Sequence, residues 1–167
     1  MILPATPPAV ADPESRLRGA DHDALRLWLR LFTCTTMVER RVDGMLKRAF
    51  GSSLPRFDLL AQLYRAEDGL RMGELSERIL TTNGNVTWLV AALEREGLVR
   101  RRIATHDRRA VVVRLTAAGR RQFTTMARAH EARIIELLAG LSLTERQTMH
   151  SMLGTVKQHL RQLRDTP

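Results

Sequence analysis

Apolar residues recur along most of this chain at intervals of three and four, the spacing of helix faces, and one stretch breaks that rhythm by alternating. Asp21 and Asp23 open the first long helical pattern, as acids suit the positive end of a helix. Leu25, Leu29, Phe32 and Thr36 form one stripe, and Leu27, Leu31, Cys34, Val38 and Val42 form another. Two apolar stripes predict a helix covered from two sides, by its own domain and by a partner chain. Gly51-Ser52-Ser53 ends it. A shorter helix follows, with Pro55 in its first turn and Phe57, Leu60, Leu63 and Tyr64 facing inward. After an Asp68-Gly69 turn come two short helices, Met72–Leu80 and about Asn83–Glu96, the second capped by Thr82 and closed by Gly97. Their tight junction, ILTTNGN, gives the outline of a helix-turn-helix.

The period then drops to two. Leu98–Ile103 and Ala110–Leu115 read as strands of a hairpin whose tip is the polar run ATHDRR. Thr116 caps a helix running from Ala117 to about Gly140, with Phe123, Ala127, His130, Ile134, Leu137 and Leu138 on one face. At 1.5 Å per residue this helix is roughly 36 Å long, too long for a small winged lobe, so it is expected to project onto the first helix and a second subunit. Ser142 and Glu145 form a capping box for a last helix with Met149, Leu153, Val156, Leu160 and Leu163 inward. The division that follows is a flexible tail over 1–20, a dimerisation helix over 21–50, a winged lobe over 51–116 and dimerisation helices over 117–165. The fold class is mainly α with a small β wing, on a helical dimerisation base.

Composition sharpens this outline. The 167 residues carry 27 Lys+Arg against 18 Asp+Glu, a net charge of +9, and all the basic residues but Lys47 and Lys157 are arginine. Nine arginines (95, 100, 101, 102, 108, 109, 114, 120 and 121) and two acids (Glu96 and Asp107) fall between positions 95 and 121, so this stretch alone is net +7. Charge concentrated on a hairpin beside a helix-turn-helix points to the phosphates of double-stranded DNA. Four of the six prolines lie in the first twenty residues, and nothing there looks functional. One cysteine excludes a disulfide scaffold. No apolar run reaches membrane-span length and no signal-peptide pattern opens the chain, so a cytoplasmic location is expected. The five histidines show no metal spacing, and neither a phosphate loop nor a nucleophile elbow occurs. Neither an enzyme nor a cofactor is expected.

Three segments carry a family resemblance: LPRFDLLAQLYRAEDGLRMGELSERI at 54–79, NGNVTWLVAALEREGLVRRR at 83–102 and HDRRAVVVRLTAAGR at 106–120. With them the chain resembles the MarR-type winged helix-turn-helix regulators from about Asp21 to its end. The resemblance implies a homodimeric DNA-binding repressor whose two winged lobes grip a pseudopalindrome.

Val86, Leu89, Val90 and Leu93 form the inward stripe of the second short helix, leaving Asn83, Gly84, Asn85, Trp88, Ala92 and Arg95 outward and Thr87 at the margin. N-terminal residues of such a helix reach base edges in the major groove. Asn83 and Asn85 can each present an amide to adenine, with helix capping the competing role for Asn83. Thr82 and Thr87 suit phosphate, and Gly84 allows close backbone approach. Trp88 suits a thymine methyl, a sugar or the other side of its own lobe. In the family an Asp-x-Arg pattern at the wing tip sends an arginine into the minor groove. Asp107 and Arg109 match it, with Arg108 on phosphate or the two arginines exchanged.

Family members also release DNA when a small anionic or aromatic molecule enters a pocket between base and lobe. Trp28, Phe32, Met37, Arg40, Arg41, Phe57, Met126 and His130 are the candidate lining, each with a competing role in the core or on a solvated face. The stretch LRLWLRLFTCTTMVERR, with its neighbours, resembles a branch sensing phenolic acids or their coenzyme A thioesters. Cys34 offers a redox alternative, but its apolar stripe favours a buried small hydrophobe. A protein-binding winged helix is the other alternative, and the net +7 wing stretch argues against it.

Overall fold

A computed structural model describes residues 22–79, 86–104 and 107–163. Helix α1 (Asp23–Phe50) runs 28 residues and stops at Gly51, whose φ of 59° is the left-handed conformation a glycine adopts without strain. The Gly51 and Ser52 amides donate to the Lys47 and Leu46 carbonyls at 3.1 and 3.3 Å, closing the helix end. Asp43, two turns before that end, accepts the Leu54 amide at 2.9 Å and the Lys47 ammonium at 2.7 Å. Burial alone would raise the Asp43 pKa; these donors outweigh it and hold the carboxyl below its usual range. The turn into α2 (Leu54–Arg65) is thereby tied to α1.

Two residues, Leu70–Arg71, form strand β1, which the alternation rule does not reach because so short a segment has no period. Helix α3 (Met72–Arg78) and helix α4 (Val86–Arg95) are the helix-turn-helix pair. Residues 80–85, and with them the expected cap Thr82, lie outside the described residues. Beyond α4 the Leu98 amide donates to the Leu93 carbonyl at 2.9 Å across Gly97, whose φ is 70°.

Strands β2 (Val99–Ala104) and β3 (Asp107–Leu115) form the wing. The sheet is antiparallel with order β1-β3-β2: Leu70 faces Val113, Val99 faces Leu115 and Ala104 faces Asp107. The expected six-residue tip is therefore corrected, since all but two of its residues belong to the ladder. Alternation marks a strand only where one face is buried, and Arg101, Arg102, Ile103 and Val111 at this outer end are all exposed.

Helix α5 (Ala117–Leu137) stops about one turn short of Gly140. Its start explains the LTAAG sequence. The Thr116 hydroxyl donates to the Gly97 carbonyl at 2.7 Å and accepts the Gly119 amide at 3.0 Å, while the Thr116 amide donates to the Leu98 carbonyl. Gly119 lies so close to β2 that a Cβ there would sit 2.0 Å from the Leu98 carbonyl oxygen. Backbone cannot yield as a flexible side chain can. Gly119→Ala is expected to destabilise the lobe by about 2–3 kcal/mol, read by denaturant unfolding. An unchanged midpoint would contradict this packing.

The core of the lobe collects Leu59, Leu60 and Leu63 of α2, Leu75 of α3, Val90 and Leu93 of α4, Val99 and Val113 of the sheet, and Met126 of α5. Only Val42 and Leu46 of α1 are fully buried. Two inward expectations are corrected. Tyr64 stays 37% exposed, its ring 4.7 Å from Phe123. The five residues expected inward on the last helix, Met149, Leu153, Val156, Leu160 and Leu163, are all exposed. Helix α6 (Leu143–Gln162) has the expected Ser142–Glu145 capping box yet buries no residue. Leu25, Leu27, Trp28 and Phe32 on α1 are likewise exposed. Their periodicity is real, but no described residue of the single chain covers it.

Candidate nucleic-acid interface

Helix α4 sits in the lobe by Leu89, Val90 and Leu93, which are buried as expected. Ala92 is buried with them at 4% exposure, which corrects its outward placement, because a small residue beside the stripe widens the packed face. Thr87, Trp88 and Arg95 face solvent, and Trp88 at 61% is among the most exposed apolar residues. Thr82, Asn83, Gly84 and Asn85 lie outside the described residues. Asp107, Arg108 and Arg109 begin β3, but their side chains are also outside the described residues.

The basic stretch divides into two groups. Arg101 pairs with Glu94 of α4 at 3.0 Å, and the same carboxylate accepts the Arg101 amide at 3.0 Å. Arg114 pairs with Asp68 in the turn before β1. Arg120 lies over the Tyr64 ring, 5.0 Å from its centre. Arg56 of α2 pairs with Glu96 just after α4. These contacts tie helix, wing and sheet together, and the ion pairs of Arg101 and Arg114 answer part of the charge of the net +7 stretch within the protein itself. Arg95, Arg100 and Arg102 remain exposed. Register places Arg100 opposite Arg114 and Arg102 opposite Val112, so Arg100 and Arg102 share the sheet face turned away from Val99 and Val113 in the core. A helix whose outer face exposes Thr87 and Trp88, beside a ribbon that exposes Arg100 and Arg102, can enter a groove while the ribbon meets phosphate.

The expected effector pocket resolves into two clefts flanking α5. Met37, Arg40 and Arg41 line one of about 360 Å³ between α1 and α5, together with Gly44, Arg48 and Arg133. Phe57 and His130 line another of about 460 Å³ between α2 and α5, with Phe123 and Ile134 among its other walls. Arg48, Arg133 and Phe123 are additions; their helical spacing from Arg41, His130 and Met126 was the available signal. Met126 is fully buried in the core, and Trp28 and Phe32 meet in a tilted contact with ring centres 5.7 Å apart, both exposed; none of the three lines either cleft. Cys34 is exposed on the single chain rather than buried, for the same reason as its α1 neighbours.

His130 stacks on Phe57 with ring centres 4.6 Å apart. Burial pushes its pKa below the ordinary 6.5 by disfavouring the imidazolium. The folded chain thus binds fewer protons than the unfolded chain between the lowered value and 6.5. The resulting stability is full above 6.5 and lost as pH falls through the folded-state value. Melting temperature is expected to drop over that window, and His130→Gln should flatten the drop. An unchanged profile in that variant would show that His130 is not its source.

Residues 53–111, from the start of α2 to the middle of β3, match the MarR family. A MarR family transcriptional regulator from Silicibacter pomeroyi is 30% identical, superposes with a TM-score of 0.75 and is matched over 86% of this chain and 99% of its own. The chain belongs to the MarR family. It is therefore a DNA-binding transcriptional regulator of the MarR type. The chain is also similar to the HTH-type transcriptional repressor YetL of Bacillus subtilis, 28% identical over 87% of each chain. The transcriptional activatory protein BadR of Rhodopseudomonas palustris is also 28% identical, over 78% of this chain and 76% of its own. No described helix of this MarR-family chain is long and apolar enough to cross a membrane, and no group of His, Cys, Asp and Glu among the described residues is arranged to hold a metal.

Proposed function

We propose that this MarR-family protein acts as a homodimeric repressor that binds a pseudopalindromic operator and leaves it when a small aromatic or anionic effector binds. The observation carrying the dimer is the terminal base: α6 buries nothing, and α1 leaves Leu25, Leu27, Trp28 and Phe32 uncovered. Such contiguous apolar surface favours a second copy. Base reading falls to Asn83, Asn85 and Trp88, with Thr82 and Thr87 on phosphate, Gly84 allowing close approach and Arg95 beside them. Arg108 and Arg109, oriented by Asp107, work from the wing. YetL supports repression; BadR shows that activation also occurs among relatives.

A phenolic acid, or its coenzyme A thioester of the hydroxycinnamoyl type, is the effector class we favour, because an aromatic-lined cleft and an arginine-lined cleft flank the same helix. Selection of bound duplexes from a random pool tests the operator reading. It should recover two related half-sites with centres about one helical turn apart. Recovery of an unselected pool would overturn sequence-specific repression. Release of the recovered duplex by aromatic acids or their thioesters tests the effector, and release by neither would remove it.

A further inference from the structure

The cleft between α1 and α5 is lined by four arginines, Arg40, Arg41, Arg48 and Arg133, and by no carboxylate among the described residues. Two acids on these helices are already engaged. Asp43 holds Lys47 and the Leu54 amide, and Glu136 holds one Arg133 terminal nitrogen at 2.6 Å. Arg133 Nε is buried with no acceptor. Among the described residues no ion pair engages Arg40, Arg41 or Arg48. Four arginines less the charge of Glu136 leave the cleft at about +3, held against its own repulsion.

The backbone adds a second sign. Arg40, Gly44 and Arg48 follow one another at four-residue spacing on one face of α1, with glycine in the helix interior where it is disfavoured. A Cβ on Gly44 would lie 3.2 Å from an Arg48 terminal nitrogen. Glycine thus lets that guanidinium fold back across the cleft floor. A single carboxylate leaves most of this charge unanswered, whereas a diphosphate matches it and offers oxygens to several arginine forks.

We propose that this cleft binds the di- or polyphosphate group of a small phosphate-bearing ligand, with Met37 beside the ligand's less polar part. The inference deepens the effector reading, and rests on it only for the consequence on DNA. A free inorganic polyphosphate and a nucleotide share the recognised chemistry.

Calorimetric titration with inorganic pyrophosphate, adenosine diphosphate and sulfate, in about 0.1 M salt, tests it. Pyrophosphate should bind and sulfate should not. Arg40→Gln with Arg48→Gln should weaken pyrophosphate about tenfold or more, since two forked pairs are lost. Arg100→Gln with Arg102→Gln, on the exposed wing, should leave it unchanged. Adenosine diphosphate binding more tightly than pyrophosphate would identify a nucleotide, and weaker binding an inorganic ligand; either order supports the site. Pyrophosphate binding no tighter than sulfate would overturn it. So would equal weakening by both double variants, which would mark general attraction of anions, or loss of duplex DNA affinity in the Arg40/Arg48 variant equal to its loss of pyrophosphate. If pyrophosphate binds as described but no phosphate-bearing or aromatic compound changes DNA affinity, the site stands and the effector reading falls.

Discussion

Met149→Glu combined with Leu153→Glu is expected to turn a dimer into monomers, read by sedimentation, and to lower operator affinity by about two to four orders of magnitude. Both side chains lie one turn apart on α6 and are about 40% exposed on the single chain (42% and 40%). Met152, Val156 and Leu160 continue the apolar surface around and beyond them. Fully burying an aliphatic side chain of this size stabilises by roughly 1.5–3 kcal/mol, and each contact occurs twice across a two-fold interface. Four new carboxylates would also be desolvated against apolar neighbours, which is costly without partners. The lobe core contains no α6 residue, so the monomer should keep a folded winged lobe. A variant that stays dimeric would move the interface elsewhere. Loss of the lobe as well would show that α6 serves folding rather than pairing.

The second large effect concerns how sequence is read. Asn85→Ala is expected to cost about 1–3 kcal/mol on the selected operator and almost nothing on random duplex, because only a base contact discriminates between them. Arg109→Ala should weaken both duplexes, its minor-groove and phosphate attraction being far less dependent on base identity. Fluorescence anisotropy on the two duplexes separates these patterns. Equal losses from Asn85→Ala on both would reduce that residue to a cap or a phosphate contact.

Much of this architecture is legible from the chain alone, where one side of an element is buried by its own lobe. The stripes Leu89-Val90-Leu93 and Phe57-Leu60-Leu63 meet a core and appear in the sequence as helical period. Gly51, Gly97, Thr116 and the Ser142–Glu145 pair mark helix ends because each solves a hydrogen-bonding or backbone problem local to a few residues. Signals fail where the answer depends on distant chain. The outer wing pairs backbone to backbone while Arg101, Arg102, Ile103 and Val111 stay exposed, so charge there imitates a loop. Strand β1 exists only because β3 runs past it. The pairing of Arg101 with Glu94 and Arg114 with Asp68 bridges separate elements, and no charge count can see it. Periodicity on α6 shows that a face is apolar and is silent on which molecule covers it. The candidate pocket divided for a related reason: residues close in helical spacing on α1, α2 and α5 face opposite flanks of α5.

The central claim is that the exposed face of helix α4 and its arginine wing grip duplex DNA through several phosphates at once. Affinity for a random-sequence duplex measured against salt tests it most directly. A dimer neutralising about six to ten phosphates loses roughly three to five orders of magnitude between about 50 and 200 mM salt. We expect a fall of that order, with a smaller slope after Arg100→Ala and Arg102→Ala together. Absent binding at the lowest salt, or an affinity unchanged across the range, would contradict the account.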